Sequence, residues 1–182
     1  MAAAVAEPFF TLGHSSRSLS GFAGLLRESG VQRVVDIRKL PGSRAQPQFN
    51  ADTLAAALAG QAIGYQHLVA LGGLRGKVAG VAPGRNGLWR NASFHRYADY
   101  TTTPAFHAGL QQLLALGAHE RCALMCAEAL WWRCHRRIVT DFLLARGMAV
   151  FHILAPGRVE AAHITPGAVV GEGGEVSYPA PA

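Results

Sequence analysis

Five short apolar segments alternate along the chain with segments whose apolar residues recur every three or four positions. We interpret the short segments as strands, at residues 9–12, 31–37, 65–69, 122–126 and 148–154. Consecutive parallel strands need a crossover of a dozen or more residues, and that crossover is usually a helix. The alternation therefore predicts an α/β fold: a single three-layer domain with a mainly parallel sheet of about five strands and helices on both faces.

The segments between the strands carry signals for helix starts and ends. Ser18 or Ser20 is suited to cap a first helix, and Gly30 is suited to end it. The other predicted helices run from Asn50 or Asp52 to Ala59, over about 106–117, and from Cys134 to Arg146.

The length of 182 residues suits one domain. We expect an N-terminal extension at 1–8, the α/β domain at 9–165, and a tail at 166–182 that either forms a hairpin or lies loose. Residues 72–92 contain seven glycines or prolines and little periodicity. That composition predicts a long mobile loop, which is a candidate lid over a ligand.

Composition narrows the class of protein. Half of the residues are hydrophobic and 15% are charged, which is typical of a globular chain rather than a disordered one. No apolar run is long enough to span a bilayer, and the first residues lack the basic region of a secretory signal. Three cysteines do not form a disulfide framework. We therefore expect a cytoplasmic protein without a membrane partner.

The formal net charge of +6 indicates partners of the opposite sign. A basic balance favours an anionic small molecule or a nucleic acid. An arginine-rich proteome gives the same balance, and both explanations stay open. No run of five like charges occurs, so the sequence does not predict a basic tail that binds nucleic acid.

Polar side chains follow the ends of four predicted strands. They are His14 with Ser15, Asp36 with Arg38, His67, and Cys126 with Glu128. In open parallel sheets, ligands bind outside the carboxyl ends of the strands. The sequence therefore predicts that these four groups meet at one edge of the sheet and form a single site.

The same groups resemble the motifs of a bacterial family catalogued as domain of unknown function 488. The motifs that carry the resemblance are Thr11-Leu12-Gly13-His14, Asp36-Ile37-Arg38, Pro41-Gly42-Ser43-Arg44, Tyr65-Gln66-His67, Leu71-Gly72-Gly73, Cys126-Ala127-Glu128 and Cys134-His135-Arg136. They occur in the expected order between about residues 10 and 154. The function of that family is unassigned, so the resemblance implies no particular activity.

The cysteines permit two kinds of chemistry. Cys122, Cys126, Cys134 and His135 look like a zinc set, but strand geometry separates Cys122 from Cys126 by about 13 Å. We therefore predict neither a metal nor another cofactor, and a site built from Cys126, Cys134 and a histidine stays an alternative. Cys134 also precedes a helix rich in arginine, a setting that favours a thiolate, and a reversible disulfide with Cys126 is a second alternative. The third alternative is that Cys126 and Cys134 are unreactive thiols that only pack beside the loop between them.

The loop after Cys126 leads into a helix N-terminus, which suits an anion. Arg38, Arg44 and Arg136 are candidates to bind it, although Asp36 and Arg38 could instead form a structural ion pair. Glu128, near His14 and His67 by chain order, is a candidate general base.

These features together predict an enzyme with a pocket at the strand ends for a phosphate-bearing or nucleobase-containing ligand. The predicted catalytic residues are Glu128, His14, Cys126 and Cys134. The predicted ligand-binding residues are Ser15, Asp36, Arg38, Ser43, Arg44, His67 and Arg136. The alternatives are a non-catalytic module that binds nucleic acid or nucleotide, and a thiol- or metal-dependent redox protein.

Overall fold

A six-stranded sheet forms the centre of the protein, in a computed structural model that describes residues 5–182. The strands are β1 (Phe9–Gly13), β2 (Arg33–Asp36), β3 (Gly64–His67), β4 (Cys122–Cys126), β5 (Val150–Ala155) and β6 (Arg158–Ala161). Their order across the sheet is β3-β2-β4-β1-β5-β6, and β1 to β5 are parallel. The predicted α/β fold is confirmed. The sixth strand, antiparallel to β5, was not predicted.

Five helices surround the sheet: α1 (Leu19–Glu28), α2 (Ala51–Ala59), α3 (Ala92–Tyr100), α4 (Pro104–Gly117) and α5 (Arg136–Leu144). Successive side chains of β4 point to opposite faces of the sheet, as the pleat requires. Cys122, Leu124 and Cys126 pack with residues of α3, α4 and α5, whereas Ala123 and Met125 pack with residues of α1 and α2. The helices therefore cover both faces, in three layers.

Local signals in the sequence explain where the first two helices begin. Ser18 caps α1, because its Oγ accepts a hydrogen bond from the backbone N–H of Gly21 at 3.0 Å. Asn50 precedes α2, but its side chain turns away from the helix and accepts a hydrogen bond from the N–H of Ser43 at 2.8 Å. Asn50 thus fixes the loop after β2 rather than the start of α2.

The predicted loop 72–92 has no regular secondary structure up to residue 91, and part of it is well packed. Asn86 is buried, and Leu88 and Trp89 pack against the core. Helix α3 follows directly, with Asn91 Oδ1 accepting hydrogen bonds from the first turn. That helix was not predicted. A lid role for the segment stays a prediction.

The C-terminal tail forms a small hairpin of β7 (Val169–Val170) and β8 (Val176–Ser177). Tyr178, immediately after it, is fully buried and donates a hydrogen bond to Asp141 Oδ2 at 2.8 Å. Asp141 Oδ1 accepts a second bond from the N–H of Thr165 at 2.9 Å. The buried carboxylate of α5 therefore ties the tail to the domain.

The structure does not test two parts of the sequence-based description. Residues 1–4 of the predicted extension lie outside the described residues, and the three-part division of the chain stays a prediction. Within residues 5–182, no helix combines the length and the apolar character that a bilayer crossing requires.

We predict that Tyr178→Phe destabilises the protein by about 1–3 kcal/mol, because the buried Asp141 loses a hydrogen-bond donor that water cannot replace. Urea denaturation measures the change in the free energy of unfolding. Ser177→Ala is the matched control in the same hairpin and is expected to change it by less than about 0.5 kcal/mol. Equal effects of the two substitutions would contradict the role of Tyr178.

Candidate functional site

A cavity of about 330 Å³ opens where β2 and β4 end. Its walls come from the residues after these strands, from the segment 72–92, from α3 and from the turn before α5. The lining residues that matter below are Arg38, Lys39, Leu40, Gly73, Leu74, Phe94, Tyr97, Cys126, Glu128, Arg133, Cys134 and His135. The cavity thus lies at the sheet edge where parallel sheets bind ligands.

Two cysteine sulfurs lie side by side in the wall of this cavity. Cys126 is the last residue of β4, and Cys134 is an extended residue between the short 3₁₀ turn Trp131–Arg133 and α5. Their Sγ atoms are 2.6 Å apart and both residues are buried. Cys122 lies at the other end of β4, where its thiol faces the backbone carbonyl of Glu120 and burial raises its pKa to about 12. The sequence placed the same two cysteines together.

The guanidinium of Arg136 covers this thiol pair from inside the protein. Arg136 is 1% exposed, and its Nη1 donates to Cys126 Sγ and to the carbonyl of Glu128, both at 2.6 Å. Its Nη2 donates to the carbonyl of Ala129 at 3.1 Å. None of the ion pairs within residues 5–182 includes Arg136. The sulfurs of Cys126 and Cys134 are therefore the groups near Arg136 that can carry a negative charge to compensate the guanidinium.

The environment separates the pKa values of the two thiols. Burial raises the pKa of Cys126 well above its ordinary value. Burial acts the same way on Cys134, but the hydrogen bond from Cys126, the charge of Arg136 and the N–H of Arg136 at 3.4 Å together lower the pKa of Cys134 to about 7. These contacts favour the thiolate form of Cys134, with Cys126 as its hydrogen-bond donor.

His135 supplies a proton acceptor beside Cys134. Its Nε2–H donates to the carbonyl of Ile37 at 2.8 Å, which leaves the lone pair of Nδ1 facing Cys134 Sγ at 3.6 Å. Burial lowers the pKa of His135, so the ring is neutral at neutral pH. A Cβ on Gly73 would come within 2.9 Å of Nδ1, so glycine allows the segment 72–92 to lie against the ring. The sequence-based prediction considered His135 only as a ligand in the alternative metal site and not as a proton acceptor.

Asp36 and Arg38 form the structural ion pair that the sequence left as an alternative. Arg38 Nε and Nη2 donate to the two oxygens of Asp36 at 2.9 and 2.7 Å, and Nη2 also donates to the carbonyl of Phe49. Tyr65 donates its hydroxyl proton to Asp36 at 2.5 Å. Most donors of Arg38 are therefore engaged inside the protein, although its side chain still borders the cavity.

His14, Ser15 and His67 support this pair from outside the cavity lining. His14 stacks on Phe49, donates from Nδ1 to the carbonyl of Ser15 at 2.9 Å and faces Arg38 with Nε2 at 3.4 Å. Burial lowers the pKa of His14. His67 Nε2 hydrogen bonds with the carbonyl of Arg38 at 2.6 Å. These contacts hold the loops after β1, β2 and β3 together.

The remaining predicted residues lie apart from one another. Glu128 is exposed at the cavity mouth, where its Oε1 accepts a hydrogen bond from the N–H of Leu130 at 3.3 Å rather than contacting a histidine. Ser43 Oγ accepts from the N–H of Gln46, and Arg44 is exposed; neither borders the cavity. The structure therefore does not bring Arg38, Arg44 and Arg136 into one anion site, and their ligand-binding roles stay predictions.

Two other cations border the cavity. Lys39 donates from Nζ to the carbonyl of Leu74 at 3.1 Å, and Arg133, immediately before Cys134, is exposed. Among residues 5–182, Glu128 is the one negative side chain at the mouth, and the charge of Arg38 is neutralised by Asp36. The two positive charges of Lys39 and Arg133 therefore leave the mouth with a net positive charge. Within the described part of the chain, no group of three or more His, Cys, Asp and Glu side chains could hold a metal ion.

Comparison with known proteins places the chain in a family. The family described as domain of unknown function DUF488 matches residues 18–143, which include β2, β3, β4 and the segment from Cys126 to Arg136. The chain belongs to this family. No curated protein and no solved structure matches it. The DUF488 segment thus supplies both thiols, Arg136 and His135, whereas β1 precedes the match and β5 follows it.

Gly13 controls how closely the end of β1 approaches the loop after β4. A Cβ at this position would lie 1.8 Å from the carbonyl oxygen of Glu128, the same oxygen that accepts from Arg136. We predict that Gly13→Ala displaces this carbonyl and destabilises the protein by about 1–3 kcal/mol, measured by denaturant unfolding. Gly24→Ala within α1 is the control, since its Cβ meets only Arg27 Nη2 at 4.0 Å. That substitution is expected to stabilise the protein by up to about 1 kcal/mol, and equal destabilisation by both would refute this role of Gly13.

Proposed function

We propose that the protein is an enzyme in which the thiolate of Cys134 attacks a small anionic molecule bound in the cavity. The observation that carries the proposal is the buried Arg136, whose guanidinium meets the sulfur of Cys126 and two backbone carbonyls instead of a carboxylate, with Cys134 Sγ 2.6 Å from that sulfur. A cation in that position stabilises a thiolate, and the thiolate is the reactive form of cysteine.

The neighbouring groups have separate roles in this proposal. His135 Nδ1 takes the proton when Cys134 is in its thiol form, and the carbonyl of Ile37 holds the imidazole in the tautomer that can accept it. The first N–H of α5 contacts the negative sulfur of Cys134, and the nearby charge of Arg136 stabilises it. Cys126 donates a hydrogen bond that keeps the charge on Cys134.

The class of ligand follows from the mouth of the cavity. Lys39 and Arg133 favour a molecule with negative charge, and Leu40, Leu74, Phe94 and Tyr97 offer apolar surface to its body. A phosphate or a nucleobase on that molecule stays a narrower prediction. A non-catalytic nucleic-acid module is the competing proposal, and it gives no reason for a thiolate at the cavity wall.

Alkylation of the reduced protein by iodoacetamide, followed by peptide mass spectrometry at several pH values, tests the nucleophile. We predict that the alkylation rate of Cys134 rises with pH with a midpoint at about 7, because the thiolate alone reacts. Arg136→Met removes the stabilising charge and is expected to move the midpoint upward by at least about one pH unit.

Cys122→Ala is the matched control. Cys122 lies on the same strand as Cys126, but its thiol forms its hydrogen bond with the carbonyl of Glu120 rather than with Arg136 or Cys134. The substitution is expected to leave the midpoint unchanged. Circular dichroism of each variant checks that it is folded. A folded wild-type protein in which Cys134 reacts only above about pH 8.5, the ordinary thiol pKa, would refute the proposal.

A further inference from the structure

We infer that Cys126 and Cys134 form a two-thiol exchange centre whose substrate is a small organic disulfide carrying carboxylate groups. The inference rests on the proposed function, in which Cys134 is the nucleophile. It adds a second reacting residue, a reaction class and a substrate class.

The position of Cys126 provides the second thiol. Its Sγ lies 2.6 Å from Cys134 Sγ, so a mixed disulfide formed on Cys134 would place its sulfur in reach of Cys126 without movement of the sheet. Cys122, the third cysteine, lies four residues earlier at the opposite end of β4. Arg136 Nη1 contacts Cys126 Sγ directly and therefore stabilises negative charge on Cys126 when that thiol is deprotonated.

The exchange balances in two steps. The thiolate of Cys134 attacks one sulfur of the substrate disulfide, the substrate S–S bond breaks, and the departing half leaves as a thiolate that takes up a proton. Cys126 then gives its proton to water and attacks Cys134 Sγ. The mixed S–S bond breaks, the second half leaves as a thiolate that takes up a proton, and a Cys126–Cys134 disulfide closes. Two electrons pass from the cysteine pair to the substrate, and a dithiol reductant must return them before the next turnover.

The acidity of the pair suits this reaction. The best attacking thiol in disulfide exchange has a pKa near the ambient pH, because a lower pKa weakens the nucleophile and a higher one depletes the thiolate. The pKa of Cys134, lowered to about 7 by Cys126 and Arg136 against the effect of burial, falls in that range.

The cavity indicates which disulfides fit. Both sulfurs are buried, so the substrate must be small enough to enter a space of about 330 Å³. Leu40 and Leu74, which are 72% and 75% exposed, form an apolar rim for the carbon chains. Lys39 and Arg133 at the same rim pair with carboxylates at the ends of those chains.

Three disulfides of similar size and different charge test the inference: dithiodipropionate, a dianion; 2-hydroxyethyl disulfide, which is neutral; and cystamine, a dication. The fully reduced protein is mixed with each one, and acid-quenched samples are analysed by mass spectrometry. We expect dithiodipropionate to react about tenfold faster than the neutral disulfide at low salt. That preference should shrink at high salt, because added ions screen exposed charges.

Variants assign each step. Wild-type protein is expected to end with an internal Cys126–Cys134 disulfide, Cys126→Ser with a stable mixed disulfide on Cys134, and Cys134→Ser with no reaction at this site. Cys122→Ala is expected to behave as wild type. The double variant Lys39→Gln/Arg133→Gln should lose the preference for the dianion, so that its rates with dithiodipropionate and with the neutral disulfide become similar.

Several outcomes would overturn the inference while leaving the nucleophile in place. A wild-type protein that alkylates at Cys134 with a midpoint at about pH 7 but forms no internal disulfide would remove Cys126 from the reaction. A faster reaction with cystamine than with dithiodipropionate would contradict the inference that the substrate is negatively charged. Faster oxidation by tert-butyl hydroperoxide than by the disulfides at equal concentration would show that the substrate is a peroxide and not a disulfide. Absence of the low-pH alkylation itself would instead refute the proposed function.

Discussion

The contact between Arg136 and the two cysteine sulfurs is the interaction on which the rest of the site depends. A buried guanidinium loses its hydration, and this destabilises the folded protein by roughly several kcal/mol unless nearby groups replace the water. Here the replacement consists of the Glu128 and Ala129 carbonyls and of sulfur. The carbonyls and the Cys126 thiol carry only partial charge, so a thiolate on the adjacent Cys134 completes the compensation. A buried cation and an acidic thiol therefore explain each other.

The fold brings these groups together because of the position of β4 in the sheet. Strand β4 lies between β1 and β2, so the loops after all three strands meet beside Cys126. Gly13 lets the end of β1 touch the Glu128 carbonyl, and Ile37 after β2 offers its carbonyl to His135. The Asp36–Arg38 pair then holds the neighbouring loop from inside. Each neighbouring strand thus fixes one partner of the thiol pair.

The sequence predicted the layered fold because apolar periodicity records which face of an element is buried. It did not predict α3, whose apolar residues Phe94, Tyr97 and Ala98 keep helical spacing but directly follow a long segment of glycine and proline. It did not predict β6 either, since every residue of that edge strand is exposed and no buried alternation marks it.

The site was predictable to a similar extent. The sequence grouped Cys126, Cys134 and Arg136, because chain order places them at one strand end. It considered His135 only as a possible metal ligand and gave it no catalytic role, since adjacent helix residues point in directions that differ by about 100°. Cys134 is in fact extended, and α5 begins only at Arg136, so the two side chains face each other. Glu128 was placed near His14 and His67 by chain order, and Arg44 was assigned to the anion site as an arginine of the loop after the second strand. The exposure of both residues depends on loop geometry that periodicity does not encode.

Ultraviolet absorbance of the thiolate, followed during acid titration of the reduced protein, measures the central claim directly. The account predicts a thiolate in wild-type protein that disappears with a midpoint at about pH 7 and is missing from folded Cys134→Ser. A wild-type protein whose thiolate absorbance appears only above about pH 8.5, the value of an ordinary cysteine, would show that Arg136 is not paired with a thiolate and would contradict the account.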